Sequence, residues 1–203
     1  MRLEVGIIAL VEEALGTTAE RHAQFDWLRN KPSREHFGDY YDMLMELYNE
    51  FGGDWEGTST KADGFLTPDA YFPEPYNFIF EFDELQHFTR YREQTFSFYP
   101  EDIPLAYAQE KYLKFCQQYH TEALAKGPDR FRRVTADFPY VNGRAAQRAF
   151  FDTFRDWLPP RHGLNPTVRL AEFEVKPILD EELTGDAAKS YIKRLICERL
   201  ATS

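Results

Sequence analysis

The segment Phe78–Asp83 constrains the fold most, because an aromatic residue occupies every second position of it. Successive side chains of a β-strand point to opposite faces, so the phenylalanines share one face and Ile79, Glu81 and Asp83 share the other. Such an apolar strand is expected to be central and buried. Acids that continue a buried strand are costly unless they serve a site. The segment therefore predicts a core strand that carries two acids into a functional site.

A second acid-bearing strand is predicted just before this one. Asp69–Pro73 has strand character, and the intervening Glu74–Asn77 contains the proline and asparagine typical of a turn. The resulting hairpin would bring Asp69 beside Glu81 and Asp83, where three carboxylates repel each other unless a cation lies among them. Mg²⁺ prefers such oxygen ligands, so these acids are candidate metal ligands. The alternative is an acidic strand end that forms only a solvated rim.

The rest of the chain alternates between helical and extended patterns. Residues 54–68 are polar and predict a loop, Gly52-Gly53 are expected to end the helix before it, and Pro159-Pro160 are expected to stop a later helix. Apolar spacing predicts helices over residues 5–15, 37–51, 104–125, 145–158 and 187–200, and strands over 131–134 and 167–175. This order indicates an α/β fold with a mixed central sheet flanked by helices.

Length and composition are those of a folded globular chain. The 203 residues suit a single domain, 1–203, with residues 177–203 left open as a C-terminal helical appendage. Hydrophobic residues make up 43% and aromatic residues 16%, which is enough for a sizeable core. Cys116 and Cys197 form no CxxC pair, and no run approaches the about 18 apolar residues of a membrane span. The N-terminal residues lack a signal-peptide pattern, so we expect a cytoplasmic protein with no membrane partner.

The hairpin and the residues after it resemble a known family. Pro68–Pro73 and Phe78–Phe88 together resemble the restriction-endonuclease-like superfamily, known by its PD-(D/E)xK motif. More narrowly, the pattern E-x-D-x-x-Q-H-F, which begins at Glu81, is similar to the branch related to very-short-patch repair endonucleases. The resemblance covers about twenty residues. It implies a restriction-endonuclease-like core and a Mg²⁺- or Mn²⁺-dependent endonuclease that cuts DNA in restriction, repair or anti-phage defence.

The resemblance also implies roles for individual residues. Asp69 and Glu81 would bind the metal, and Asp83, a further candidate ligand, stands where the superfamily usually has its catalytic lysine. Gln86 and His87 would follow the strand and face the phosphate, and all five residues are candidate catalytic residues. His87 could serve as a base or as a hydrogen-bond donor to phosphate. The alternative for His87 is a surface histidine with a local hydrogen bond.

Two departures from the family pattern keep other functions open. Asp83 replaces the lysine, and Glu84 replaces the glycine that usually follows. Water activation would then fall to His87, Gln86 or a lysine of the following helix, Lys111 or Lys114. The first rival is a catalytically inactive module with the same fold that acts as a scaffold in a larger complex. The second is a nuclease that cuts RNA, and either a protein partner or a homodimer is compatible with the sequence.

The negative net charge of the chain argues against a wide surface that binds nucleic acid. The net charge is −10, so contact with DNA must be local or supplied by a partner. The alternative to phosphate binding for the basic clusters is simple charge balance or surface ion pairing. Glu46 and Glu50 lie on the helix before the hairpin, where superfamily members often carry an acid. The basic residues that could form one phosphate-binding edge are Arg90, Arg92, Arg130, Arg132, Arg133, Arg144 and Arg148, the last two four apart on a helix.

Overall fold

A three-stranded mixed sheet lies at the centre of the part of the chain that the structure describes. The computed structural model describes residues 3–126 and 132–201. The sheet order is β1 (Ala70–Phe72), β2 (Phe78–Asp83) and β3 (Asn165–Ala171), with β1 antiparallel and β3 parallel to β2. The predicted hairpin and the central, buried position of its second strand are thus confirmed.

Helices flank this sheet, as the mixed α/β prediction requires. Short 3-10 turns at residues 38–40, 85–87, 96–98 and 172–174 connect some of them. In none of the helices described is there the combination of length and apolar character needed to cross a bilayer. The described α-helices are α1 (Leu3–Leu15), α2 (Arg34–Phe37), α3 (Tyr41–Glu50), α4 (Trp55–Thr60), α5 (Arg90–Thr95), α6 (Gln109–Lys126), α7 (Gly143–Arg161), α8 (Lys176–Leu179) and α9 (Gly185–Ala201).

The alternation along β2 divides the interior into two apolar layers. Its phenylalanines pack with Val168 and Leu170 of β3 against α1 and α9. Ile79, on the other face, packs with residues of α2, α3 and α7, including Phe154 and Trp157. Because Glu81 and Asp83 share the face of Ile79, the sheet directs both acids towards α7.

Two of the predicted elements differ in the structure at the chain's first half. The predicted helix 37–51 is interrupted: Phe37 ends α2, a 3-10 turn follows over residues 38–40, and α3 begins at Tyr41. Ser33 caps the start of α2 by accepting a hydrogen bond from the amide of His36, and Gly38, with a φ of 51°, ends it. The predicted loop over 54–68 contains α4, which Asp54 caps by accepting a hydrogen bond from the Gly57 amide at 3.1 Å. In both cases a single side-chain cap begins a helix too short for apolar periodicity to reveal.

The prediction that Pro159-Pro160 stop the helix is wrong, because both prolines lie inside the last turn of α7. A proline at position 159 cannot donate to the carbonyl of Arg155, four residues before it. The hydroxyl of Thr167 on β3 donates to that carbonyl instead. The amide of His162 then donates to the carbonyl of Leu158 at 3.0 Å and continues the helical bonding past the prolines.

The remaining boundaries shift by a few residues. β3 ends at Ala171 rather than at Val175, because Glu174 folds back and accepts a hydrogen bond from the Ala171 amide at 3.0 Å. α6 begins at Gln109, later than predicted, and α9 spans slightly more than residues 187–200. The predicted strand 131–134 is wrong for residues 132–134, which form no strand; residue 131 lies outside the described residues.

Candidate active site

A cavity of about 200 Å³ opens between the acidic end of the hairpin and helix α7. Asp69, Glu81 and His87 border it from the side of the sheet. The residues of α7 that line it recur every three or four positions and therefore share one face of the helix. The complete lining is Leu66, Asp69, Glu81, His87, Arg144, Arg148, Phe151, Asp152 and Arg155.

Asp69 and Glu81 lie side by side in this cavity, as the hairpin predicted. Asp69 directly precedes β1, and its Oδ2 accepts a hydrogen bond from the Phe82 amide at 2.8 Å. The amide of Asp69 donates in turn to Glu81 Oε1 at 3.3 Å. Among the described residues no donor reaches Asp69 Oδ1 or Glu81 Oε2, so each carboxylate keeps one oxygen for a ligand.

Both carboxyl groups are less acidic than usual. Burial raises the pKa of Asp69 above its ordinary value, against the opposing effect of the Phe82 amide. Burial raises the pKa of Glu81 well above its ordinary value, although Arg155 Nε lies 3.1 Å from Glu81 Oε1. Asp69 and Asp152 push the pKa of Glu81 in the same direction as burial. Burial is the largest cause of both shifts, and a bound cation would favour the ionised form of each carboxyl group.

Asp83 lies outside the cavity, in a buried charge network behind it. Its carboxylate accepts from Arg169 Nη1 at 2.8 and 3.0 Å, and its Oδ1 lies 3.1 Å from His87 Nδ1. Arg169 of β3 also donates to Asp156 at 2.7 Å and is fully buried. The structure therefore brings Asp69, Glu81 and His87 together at the cavity, whereas Asp83 contacts His87 from outside the cavity lining.

His87 occupies the floor between the acids and α7, whereas Gln86 lies elsewhere. The Nδ1 atom of His87 is 3.1 Å from Asp152 Oδ2, and its Nε2 is 2.8 Å from Arg148 Nη1. Gln86 donates from Nε2 to Glu84 Oε2 at 2.7 Å and does not line the cavity. Of these two residues, only His87 lines the cavity.

Sequence reasoning missed Asp152 and Arg155, which complete the helix side of the cavity. Asp152 is buried, and its Oδ1 accepts no hydrogen bond. Burial favours a higher pKa for Asp152, but His87 and Arg169 outweigh it and hold the pKa below its ordinary value. The signal in the sequence was the polar series 144, 148, 152 and 155, which interrupts one face of a helix that is otherwise mostly buried.

The other basic and acidic candidates have different locations. Arg144 and Arg148 share the cavity, but Arg132 and Arg133, which were expected to continue the same basic edge, do not line it. The phosphate role expected for Arg92 is wrong, because Arg92 is buried and donates to Asp156 at 2.7 Å. Arg90, Arg132 and Glu50 line a separate groove of about 1050 Å³. The rest lie away from the cavity or, for Arg130, outside the described residues: Glu46, Lys111, Lys114, Arg130 and Arg133.

The donor set of the cavity fits a hard cation held by few protein ligands. Within residues 3–126 and 132–201 no group of three or more His, Cys, Asp or Glu residues is arranged to hold a metal ion. Mg²⁺ commonly takes only one or two carboxylates and completes its shell with water and phosphate oxygens. Asp69 and Glu81 offer two such carboxylates in the same cavity.

Comparison with known proteins gives a partial match to one family model and no activity. A model of a protein family of unknown function, DUF7255, matches residues 46–132, which is less than half of the chain. The matched region contains the hairpin and His87 but ends before α7 begins. Neither the curated proteins nor the solved structures contain a match to this chain.

Proposed function

We propose that this protein is a metal-dependent nuclease that hydrolyses phosphodiester bonds of DNA, with Mg²⁺ or Mn²⁺ held by Asp69 and Glu81. The observation that carries the proposal is the pairing of these two carboxylates, each with an oxygen that accepts no hydrogen bond from the described residues, in a cavity lined by arginines. The restriction-endonuclease-like core belongs to the same proposal. It is supported by the mixed sheet and by the position of both acids at the end of its hairpin.

Each part of the cavity matches one demand of phosphodiester hydrolysis. When bound, the cation polarises the phosphate and lowers the pKa of a coordinated water. The guanidinium groups of Arg144, Arg148 and Arg155 border the same space and can bind phosphate oxygens. Leu66 and Phe151 complete the wall and limit the water that competes for these charges.

Arg155 offers a positive charge next to the second acid, where the superfamily pattern has its lysine and this chain does not. In the superfamily pattern the lysine follows the second acid by two residues and places a positive charge beside it. Here Asp83 has that position and is bound to Arg169. Arg155 Nε, from α7, lies 3.1 Å from Glu81 Oε1 and supplies a positive charge next to the second acid from another element. A guanidinium remains protonated, so Arg155 can stabilise charge but does not remove a proton from water.

The proposal is tested by nicking of supercoiled plasmid with Mn²⁺ or Mg²⁺ and with EDTA as the background. We expect metal-dependent nicking by the wild type and activity at the EDTA background for Asp69→Asn and Glu81→Gln. Glu46→Gln is the matched control, because Glu46 is exposed on α3 and should keep full activity. Nicking that survives in both cavity variants would refute the assignment, and a parallel assay with RNA decides between the two nucleic acids.

An inactive scaffold is the second candidate, and one observation favours it. Asp83 replaces the lysine and is engaged by Arg169 and His87, so the usual catalytic position is occupied by a structural acid. A wild type that binds a protein partner or a second copy of itself, shows no metal-dependent cleavage and gains no thermal stability from Mn²⁺ would favour this candidate. For either function the proposed setting is the cytoplasm, where the two free cysteines would stay reduced.

A further inference from the structure

His87 links a buried acid to an arginine of the cavity. Its Nδ1 lies 3.1 Å from Asp152 Oδ2 and 3.1 Å from Asp83 Oδ1. On the other side of the ring, Nε2 lies 2.8 Å from Arg148 Nη1. Both ring nitrogens are therefore engaged by protein groups, and the three charged partners come from β2 and from α7.

The partners of His87 decide which nitrogen carries the proton. A guanidinium can only donate hydrogen bonds, so Nε2 must accept one from Arg148. The ring proton then lies on Nδ1, where two carboxylate oxygens can accept it. In this arrangement the lone pair of Nε2 is directed at Arg148 and the Nδ1 proton is directed away from the cavity, towards the acids. Neither is available to a water molecule or to a substrate.

The hydrogen bond to His87 can hold the guanidinium of Arg148 in one orientation. It lines the cavity beside Arg144 and Arg155, next to Asp69 and Glu81. A guanidinium binds phosphate best as a fixed planar fork, and a flexible side chain loses entropy when it is held in one geometry. A hydrogen bond from Arg148 to a ring that two buried carboxylates fix in place would reduce that loss.

We infer that His87 is a positioning residue, which acts through Arg148, and that Arg148 binds a phosphate group of a nucleic-acid strand. The inference rests on the proposed nuclease function and deepens it, because it names the residue that holds the phosphate and removes His87 from the role of base. The carboxylate, imidazole and guanidinium form one ordered chain, in which Asp152 orients His87 and His87 orients Arg148.

The test measures binding without metal, so that it does not depend on cleavage. The full-length protein is titrated into a fluorescently labelled single-stranded DNA in EDTA, and anisotropy reports affinity. We expect Arg148→Met and His87→Leu each to weaken binding by about 10-fold or more, the loss of one charge-assisted contact. His87→Gln should stay within about 3-fold of wild type, because its amide can accept from Arg148 and donate to Asp152.

Two further measurements make the outcome decisive. Thermal unfolding shows whether each variant is folded. If Arg148→Met is not folded, it is replaced by Arg148→Lys, which keeps the charge but loses the planar fork. Unchanged binding by folded His87→Leu, or no binding by the wild type, overturns the inference. So does a His87→Gln variant that binds normally and has lost cleavage, since a direct catalytic role would then be shown. Failure of the nuclease proposal alone would instead abolish nicking in every variant and leave the binding pattern intact.

Discussion

At the residue scale, the chemistry of the cavity follows from burying two carboxyl groups beside each other. Asp69 and Glu81 share a hydrogen bond through the Asp69 amide, and burial is the largest cause of the raised pKa of each. A raised pKa means that the folded protein favours the protonated acid more than the unfolded chain does. The ionised pair is therefore an unfavourable feature of the metal-free fold.

The raised pKa of Glu81 predicts that the effect of Glu81→Gln on stability depends on pH. Because the folded-state pKa of Glu81 is raised above 4.5, the stabilisation from its protonated form is complete below that pH and is lost as pH rises through the folded-state pKa. In EDTA the neutral glutamine should therefore make the protein more stable than wild type at pH 8. The gain should shrink as the pH falls towards about 4.3, the pKa of an unfolded glutamate.

Urea unfolding at both pH values measures the difference. Glu46→Gln carries the same substitution at an exposed position of α3 and should show no comparable change between the two pH values. A Glu81→Gln variant that is less stable than wild type at pH 8 would contradict the prediction. It would mean that the ion pair with Arg155 outweighs the cost of burying the charge.

The sequence predicted which residues meet through local strand contacts, but it could not predict contacts that depend on pairing with a distant strand. Asp69 and Glu81 are near each other in the chain, and strand alternation with a two-strand hairpin suffices to bring them together. Alternation also assigns Asp83 to the face of Glu81, but it cannot show that Arg169 of β3 would bind it. That contact depends on the register of a parallel pairing, in which Arg169 lies opposite Glu81. Periodicity within one segment carries no information about such a register.

At the element scale, β2, β3 and α7 are joined by a charge network as well as by apolar packing. Arg169 projects from β3, is fully buried, and donates to Asp83 of β2 and Asp156 of α7. Asp156 also accepts from Arg92 and from the hydroxyls of Tyr99 and Tyr107. Removing one member of such a network leaves its partners charged, buried and unpaired, which costs more than the pair itself contributes.

Arg169→Met should therefore be among the most destabilising substitutions in this protein. Breaking a buried ion pair by deleting one partner typically costs about 3–5 kcal/mol, and here Asp83 and Asp156 both lose a buried arginine, Asp156 keeping Arg92 and Asp83 keeping His87. Chemical unfolding measures the loss. Arg34→Met is the matched control, since Arg34 pairs with Asp42 on the exposed surface and should change stability by less than about 1 kcal/mol. Equal losses in the two variants would contradict a structural role for the network.

Helix α7 shows how elements far apart in sequence override local rules. Its prolines should end a helix, yet a hydroxyl from β3 satisfies the carbonyl that Pro159 leaves without a donor. The polar residues that line the cavity belong to the same helix, and from the helix alone they are indistinguishable from a solvated face. Their place in the cavity becomes visible only when the hairpin is packed against them, a tertiary fact that single-segment patterns do not contain.

At the scale of the whole molecule, the mixed α/β class could be predicted and the layer arrangement could not. The order of helical and extended patterns defines the class. The packing of α1 against α9 joins the two ends of the described chain on the phenylalanine face of the sheet, and no local pattern predicts it. Packing α7 on the opposite face leaves the acidic end of the hairpin facing an arginine-bearing helix, which is how an acidic chain comes to place three arginines in one cavity.

The net charge of −10 sets how this cavity should interact with a nucleic acid. In the proposed function the phosphate contacts are those of the arginines that line the cavity, Arg144, Arg148 and Arg155. For single strands the logarithm of affinity falls with the logarithm of salt with a slope of about −0.7 per phosphate contact, so two or three contacts give about −1.4 to −2.1. Metal-free binding should then weaken about 7- to 18-fold between 50 and 200 mM NaCl, by roughly this slope.

Anisotropy titrations of single-stranded DNA over that salt range measure the slope, and Arg148→Met should reduce its magnitude by about 0.7, the value for one phosphate contact. Arg34→Met, which removes a charge from the surface far from the lining of the cavity, should leave the slope unchanged. A slope several times steeper would show that the strand follows a wider basic path than the cavity offers. A slope near zero would show that no phosphate is bound there, because the release of counterions by bound arginines is what makes the affinity depend on salt.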